Sequence, residues 1–120
     1  MRLLERLKDT VSQQNTTTST TTYVPPSDIY DLLSNERRRL IIEYLGTMEG
    51  KSTNAAEISD HLESLGDDRT SAYISCTQQH LPRLFQSGVI EYSQQSKEVK
   101  LRPELFTIYH AHQAVESILD

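Results

Sequence analysis

At 120 residues and 36% hydrophobic content, the chain has room for one small core plus tails. Its 17 acidic against 12 basic residues, a net charge of −5, exclude an all-over basic coat, so any contact with nucleic acid has to come from a local patch. The single cysteine excludes an intramolecular disulfide and a cysteine-rich zinc site. No apolar run approaches the roughly 18 residues of a spanning helix, and the N-terminus lacks a signal-peptide core, so the sequence predicts a cytoplasmic protein without a membrane partner.

Residues 1–12 place Leu3, Leu4, Leu7 and Val11 on one stripe of an amphipathic helix. A helix this short is marginal alone, so it calls for a surface to pack on. Residues 13–26 begin as a Gln, Asn, Thr and Ser tract and end in Pro25-Pro26; such a run buries too little apolar surface to offset its ordering entropy and reads as a linker. The folded domain is expected over 27–102.

Ser27 is expected to cap a short helix over 28–33, and Ser34 a second over about 35–47. The second carries Leu40, Ile41, Tyr44 and Leu45 on one face and Arg37, Arg38 and Arg39 in its first turns. Three adjacent arginines point three ways, and at least one is expected to pair with an acid such as Asp31 or Glu43. Residues 46–52 read as a turn leading through a very short strand at Lys51 and Ser52. Thr53 is the expected cap of a helix over 54–65 with Ala55, Ile58, Leu62 and Leu65 at core spacing.

Gly66, Asp67 and Asp68 break that helix, and either aspartate can cap the long helix that follows, over about 69–87. Two helices joined by a short turn form a helix-turn-helix pattern. From Arg69 to Ile90 there is no Asp or Glu, a charge distribution suited to lying against phosphate. Stepping 100° per residue puts Tyr73, Ile74, Thr77, His80, Leu81, Leu84 and Phe85 on one side, and Ala72, Ser75, Gln78, Gln79 and Arg83 on the other. Pro82 removes the hydrogen bond to the Gln78 carbonyl and is expected to bend the helix. Gly88 supplies its left-handed stop.

Strands are expected at 89–92 and 98–101, with Ile90 and Tyr92 sharing a core face with Val99 and Leu101, and Lys97, Lys100 and Arg102 at the tip and edge of the hairpin. Pro103 starts a last helix, over 103–120, in which Leu105, Ile108, His112, Val115 and Leu119 make an apolar stripe flanked by Tyr109. A stripe beyond a domain already closed by its hairpin predicts dimerisation, with packing on its own domain as the alternative.

Two stretches carry a family resemblance. His80-Leu81-Pro82-Arg83-Leu84-Phe85-Gln86-Ser87-Gly88-Val89-Ile90-Glu91-Tyr92 resembles the recognition-helix-to-wing junction of small prokaryotic winged-helix regulators. Combined with Leu33-Ser34-Asn35-Glu36-Arg37-Arg38-Arg39-Leu40, it resembles more closely the haloarchaeal winged-helix domain proteins, most of them predicted transcriptional regulators. The resemblance covers roughly 29–103 and implies a mainly α fold with a small β-hairpin, a winged helix-turn-helix.

Other chemistry is not encoded in recognisable form. His110 and His112 point to different sides of a helix, and His61 and His80 lack Cys or acid neighbours at ligand spacing, so no metal site is expected. His80 reads as a partly buried, locally bonded residue and Cys76 as packing, with a redox switch as its alternative. No phosphate loop, nucleophile elbow or paired-carboxylate motif is present, which predicts neither an enzyme nor a cofactor nor a small-molecule ligand.

These readings converge on a sequence-specific regulator that binds double-stranded DNA as a homodimer through the C-terminal helix, with the N-terminal helix as a further contributor. Arg69, Thr70 and Ser71 are expected on phosphates, Ser75, Gln78 and Gln79 on bases, Arg83 beside them, and Lys97 and Lys100 on the flanking backbone. The rival is a protein-interaction adaptor on the same scaffold, favoured by the acidic total charge and the two amphipathic terminal helices.

Overall fold

The computed structural model describes residues 23–119. The helix expected over 1–12 and most of the polar tract lie outside the described residues. The rest is mainly helical with one small antiparallel sheet, an α+β arrangement.

Helix α1, Pro26–Leu32, begins on a proline pre-set for the first helical position, and no side chain caps it; the expected cap, Ser27, lies inside the helix. Val24 is already buried, so the packed chain starts before Ser27. Helix α2, Glu36–Thr47, is capped by Asn35, whose side chain accepts from the Arg38 amide. Ser34, the expected cap, instead donates to the Asp31 carbonyl at 2.7 Å. Gly46, read as turn, stands in the last turn of α2, and the Tyr109 ring lies where a side chain there would go.

Strand β1, Ser52–Asn54, leads directly into α3, Ala55–Ser64. Asn54 caps α3 by accepting from the Glu57 amide at 2.9 Å, while the expected cap Thr53 bonds the Glu57 carboxylate at 2.7 Å. Ala55, Ile58 and Leu62 enter the core, but Leu65 faces solvent beyond the helix end. There Gly66 takes a φ of +101°, with Gly66 N–H bonding the Glu63 carbonyl and Asp67 N–H the Leu62 carbonyl. These paired bonds turn the chain sharply into the next helix.

Helix α4 runs continuously from 69 to 86 in three segments: α-helical Arg69–Ser75, a π turn at Cys76–His80, and α-helical Leu81–Gln86. Within the π turn the Leu81 amide reaches back to the Cys76 carbonyl, five residues away. The wide turn lies one residue before Pro82, whose ring would otherwise crowd the Gln78 carbonyl. It also inserts one residue into the helical count. The fully buried side chains are therefore Ala72, Cys76, His80, Leu81 and Leu84; of the other residues expected on this face Tyr73 is half-buried and packs on the core, Thr77 is half-buried, and Ile74 turns outward. Ile74 and Phe85 are each 48% exposed.

Gly88, at φ +79°, closes α4 as expected, with Val89 N–H bonding the Leu84 carbonyl. Strands β2, Ile90–Tyr92, and β3, Glu98–Leu101, pair with Ile90 opposite Leu101 and Tyr92 opposite Val99, the expected register. Strand β1 pairs on the other side of β3, so the sheet has order β1-β3-β2 and the hairpin gains a third strand. Helix α5, Pro103–Leu119, lays Leu105, Ile108 and His112 into the core and packs against α2. The expected stripe is thus split: its first half packs on its own domain, while Val115 and Leu119 are exposed, as is Ile118 beside them.

Candidate functional site

The outer face of α4 is the site the expected residues define. Ser71, Ile74, Ser75, Gln78 and Gln79 line one shallow depression of about 480 Å³. A second, of about 370 Å³, adjoins it and is lined by Gln78, Gln79, Pro82, Arg83 and Gln86 together with Asp31 and Arg38. The two share both glutamines, so Ser71, Ser75, Gln78, Gln79 and Arg83 belong to one concave strip. The one-residue advance at the π turn is what buries Ala72, expected on this face, and leaves Ile74 within the strip.

Two of the three expected phosphate anchors, Arg69 and Ser71, have intramolecular partners. Asp68 caps α4 by accepting from the Ser71 amide at 2.8 Å, and that contact holds its carboxyl below the usual range. Arg69 forms an ion pair with Asp60 at 2.6 Å, a hydrogen bond that raises its guanidinium pKa. Arg83 pairs with the Asp31 carboxylate, Nε to Oδ2 at 2.7 Å. Thr70 is exposed at the helix start. The helix itself carries no acid, yet acids from neighbouring elements neutralise its arginines.

The hairpin residues stand apart from the strip. Lys97 takes a φ of +63° and its ammonium donates to the Gln94 carbonyl, closing the turn over 93–97. Lys100 is exposed on β3, opposite Glu91 and Ser52, and lines a depression with Glu91, Tyr92, Ser93 and Glu98. Arg102, expected near the hairpin edge, donates to Glu91 at 2.8 Å and approaches Glu104 at 3.5 Å.

The arginine cluster of α2 is structural. Arg37 meets Asp67, not the expected Asp31 or Glu43 carboxylates, through two bonds of 2.7 and 2.6 Å. Arg38, only 4% exposed, donates to the carbonyls of Leu32 at 2.9 Å and Asp31 at 2.8 Å, and Arg39 donates to that of Leu33 at 2.7 Å. Two cationic side chains thus satisfy the carbonyl end of α1, where orphan acceptors and the helix dipole favour positive charge.

His80 is buried, not partly exposed, and its partner is remote in sequence: Nδ1 lies 3.4 Å from Arg38 Nη1. Burial and the adjacent guanidinium push its pKa down to about 4, so it is a neutral imidazole at neutral pH. Cys76 is fully buried, and burial pushes its thiol up to about 11, which removes the thiolate a redox switch needs. His61 stacks on Tyr44 with ring centroids 4.7 Å apart.

His112, expected only to point to a different side of the helix from His110, has two acidic neighbours in the fold. Its Nε2 lies 2.6 Å from Glu43 Oε2 and 3.5 Å from Glu116 Oε1. The one-turn spacing of His112 and Glu116 was visible in the sequence; Glu43, 69 residues upstream, was not a legible partner because only the packing of α5 on α2 brings it there.

Among the described residues, no helix is long and apolar enough to cross a membrane. No curated protein and no solved structure matches the chain. A family model described as a domain of unknown function, DUF7344, matches residues 30–100, from α1 to β3, and this chain therefore belongs to that family.

Proposed function

We propose that this protein is a sequence-specific regulator that binds double-stranded DNA through a winged helix-turn-helix, with α3 and α4 as the helix pair, α4 in the major groove and the β2–β3 hairpin as the wing. The observation that carries the reading is the outer strip of α4: shallow, lined by Ser71, Ser75, Gln78 and Gln79, with no acid from the helix itself and with Asp31, paired to Arg83, at its C-terminal end. No intramolecular hydrogen bond engages either glutamine side chain among the described residues, so their amides are free to pair with adenine edges, and the serine hydroxyls suit bases or phosphates. Ile74 adds an apolar contact of the kind that meets a thymine methyl group.

The exposed end of α5, with Val115, Ile118 and Leu119, supports a homodimer. Two copies of α4 about 34 Å apart would read successive major-groove faces of a palindrome. Lys97 and Lys100 would hold the flanking backbone. Because Arg69 and Arg83 already pair with carboxylates, each must exchange an acid for a phosphate to contribute, and the electrostatic share of the affinity is correspondingly small.

The second reading, a protein-interaction adaptor, draws support from those same ion pairs and from the apolar end of α5. The deciding experiment is binding of the purified protein to its own upstream DNA and to an unrelated duplex across a salt series. Preference for its own DNA, with log affinity falling against log salt, is the expected result. Absence of binding to either at low salt, with the oligomer intact, would move the assignment to the adaptor; equal binding to both would replace a sequence-specific regulator with an architectural one.

A further inference from the structure

We propose that Glu43, His112 and Glu116 form a binding site for a divalent first-row transition cation that staples α5 to α2. His112 projects from the buried face of α5 with a side chain only 6% exposed, and Glu116 follows one turn later on the same helix. Glu43 comes from α2. One donor atom from each lies within 4.8 Å of the other two, and both carboxylates converge on one atom, Nε2 of His112.

That convergence is poorly served by a proton. A single imidazole nitrogen donates one hydrogen bond, and even a fully protonated His112 offsets only one of the two carboxylate charges. Neither α5 nor the half of α2 beyond Arg39 contains a Lys or Arg to supply the balance. A divalent ion in place of the Nε2 proton satisfies all three groups at once. Nitrogen and oxygen ligands bind Zn²⁺ at about 2.0–2.2 Å, which separates tetrahedral ligands by roughly 3.4 Å. The His112–Glu116 separation of 3.5 Å already matches, whereas the half-exposed Glu43 carboxylate has to withdraw from its 2.6 Å hydrogen bond and close on Glu116, the three donor atoms lying within 4.8 Å of one another. Both glutamates reach the solvent side, so the remaining coordination position is open to water. The imidazole ligand selects zinc-like ions over Mg²⁺ and Ca²⁺, which prefer all-oxygen shells. This site is independent of the α4 strip; two of its ligands, His112 and Glu116, lie beyond the matched family region, while Glu43 lies within it.

The test is calorimetric titration of the chelator-treated full-length protein with Zn²⁺, repeated in a large excess of Mg²⁺, for wild type, Glu43→Gln and Glu116→Gln. Glu116 is a surface residue, so its variant keeps the fold, which circular dichroism verifies for both. The expected result is one Zn²⁺ per chain, undiminished by Mg²⁺, with affinity lowered at least about tenfold in each variant, as loss of one ligand of three implies. Zn²⁺ is also expected to raise the melting temperature of wild type more than that of either variant. Absence of Zn²⁺ binding by wild type, displacement by Mg²⁺, or wild-type affinity in either variant would overturn the three-ligand site.

Discussion

Arg37 and Asp67, thirty residues apart, meet through two parallel bonds, Nε to Oδ2 at 2.7 Å and Nη2 to Oδ1 at 2.6 Å, which tie the start of α2 to the turn between α3 and α4. The pairing raises the Arg37 pKa, and the same hydrogen bonds hold the Asp67 carboxyl below the usual carboxylate range. A bidentate, partly shielded pair is stronger than an ordinary surface ion pair. Replacing Arg37 by Ala is expected to cost about 1–2 kcal/mol, with most of that coupling absent once Asp67 is Asn. A double-mutant cycle by urea denaturation measures it; two fully additive single effects would show that the contact contributes nothing.

His80 gives the fold an acid-side weakness. Its folded-state pKa of about 4 lies below the ordinary 6.5, so the unfolded chain takes up a proton that the folded chain refuses. Stability from this residue is fully present above pH 6.5, declines as pH falls and levels off near 4, a total on the order of 3 kcal/mol. Denaturation midpoints between pH 4 and 7 are expected to slope less steeply for His80→Gln than for wild type. Equal slopes would mean that the imidazole is not held neutral.

Gly46 lets the Tyr109 ring of α5 lie directly against the α2 backbone. A Cβ built there would lie 2.3 Å from Cδ1 and 2.4 Å from Cγ of Tyr109, near the root of the ring, where the side chain has least freedom to give way. Gly46→Ala is therefore expected to destabilise by about 1–3 kcal/mol despite the better helix propensity of alanine. In a Tyr109→Ala background, which removes both Cγ and Cδ1, most of that penalty should vanish, which thermal denaturation of the four proteins can read.

Gln78 and Lys97 separate the two kinds of contact in the proposed DNA complex. Loss of Gln78 is expected to relax sequence preference at one base position by about 1–3 kcal/mol. Loss of Lys97 is expected to weaken all sequences alike and to flatten the salt slope by about one unit. Competition binding with single-base operator variants at two salt concentrations distinguishes them, and unchanged binding in both variants would remove these residues from the interface.

The buried thiol supplies a simple reporter. With Cys76 fully buried and its pKa pushed up to about 11, a thiol reagent at neutral pH is expected to react only through opening of the fold. Modification should track the unfolded fraction across a urea series. Rapid, stoichiometric reaction of the native protein would show an accessible thiolate.

Much of the architecture was legible in the chain because it rests on local rules. Glycine at 88 stops a helix wherever a left-handed residue is needed, alternation at Ile90, Tyr92, Val99 and Leu101 sets one strand face, and the polar, acid-free character of 69–90 follows from composition. The aspartate cap of α4 was legible, and two other caps were missed by one residue, Asn35 for Ser34 and Asn54 for Thr53, because adjacent side chains of similar chemistry compete for the same amides and the helix entry angle chooses between them.

What the sequence determined by itself over the described residues was therefore the order of the elements and the faces whose period is regular. Tertiary structure decided three things that no local period encodes. The π turn before Pro82 advances α4 by one residue, so Ala72 and Cys76 are buried and Ile74 joins Gln78 and Gln79 outside. The packing of α5 on α2 divides one apolar stripe into a buried and an exposed half and brings Glu43 to His112. The partners of Arg37, Arg69 and Arg83 come from other elements, because ion pairs depend on distance in space, and a chain with more acids than bases offers each arginine several carboxylates among which only the fold selects.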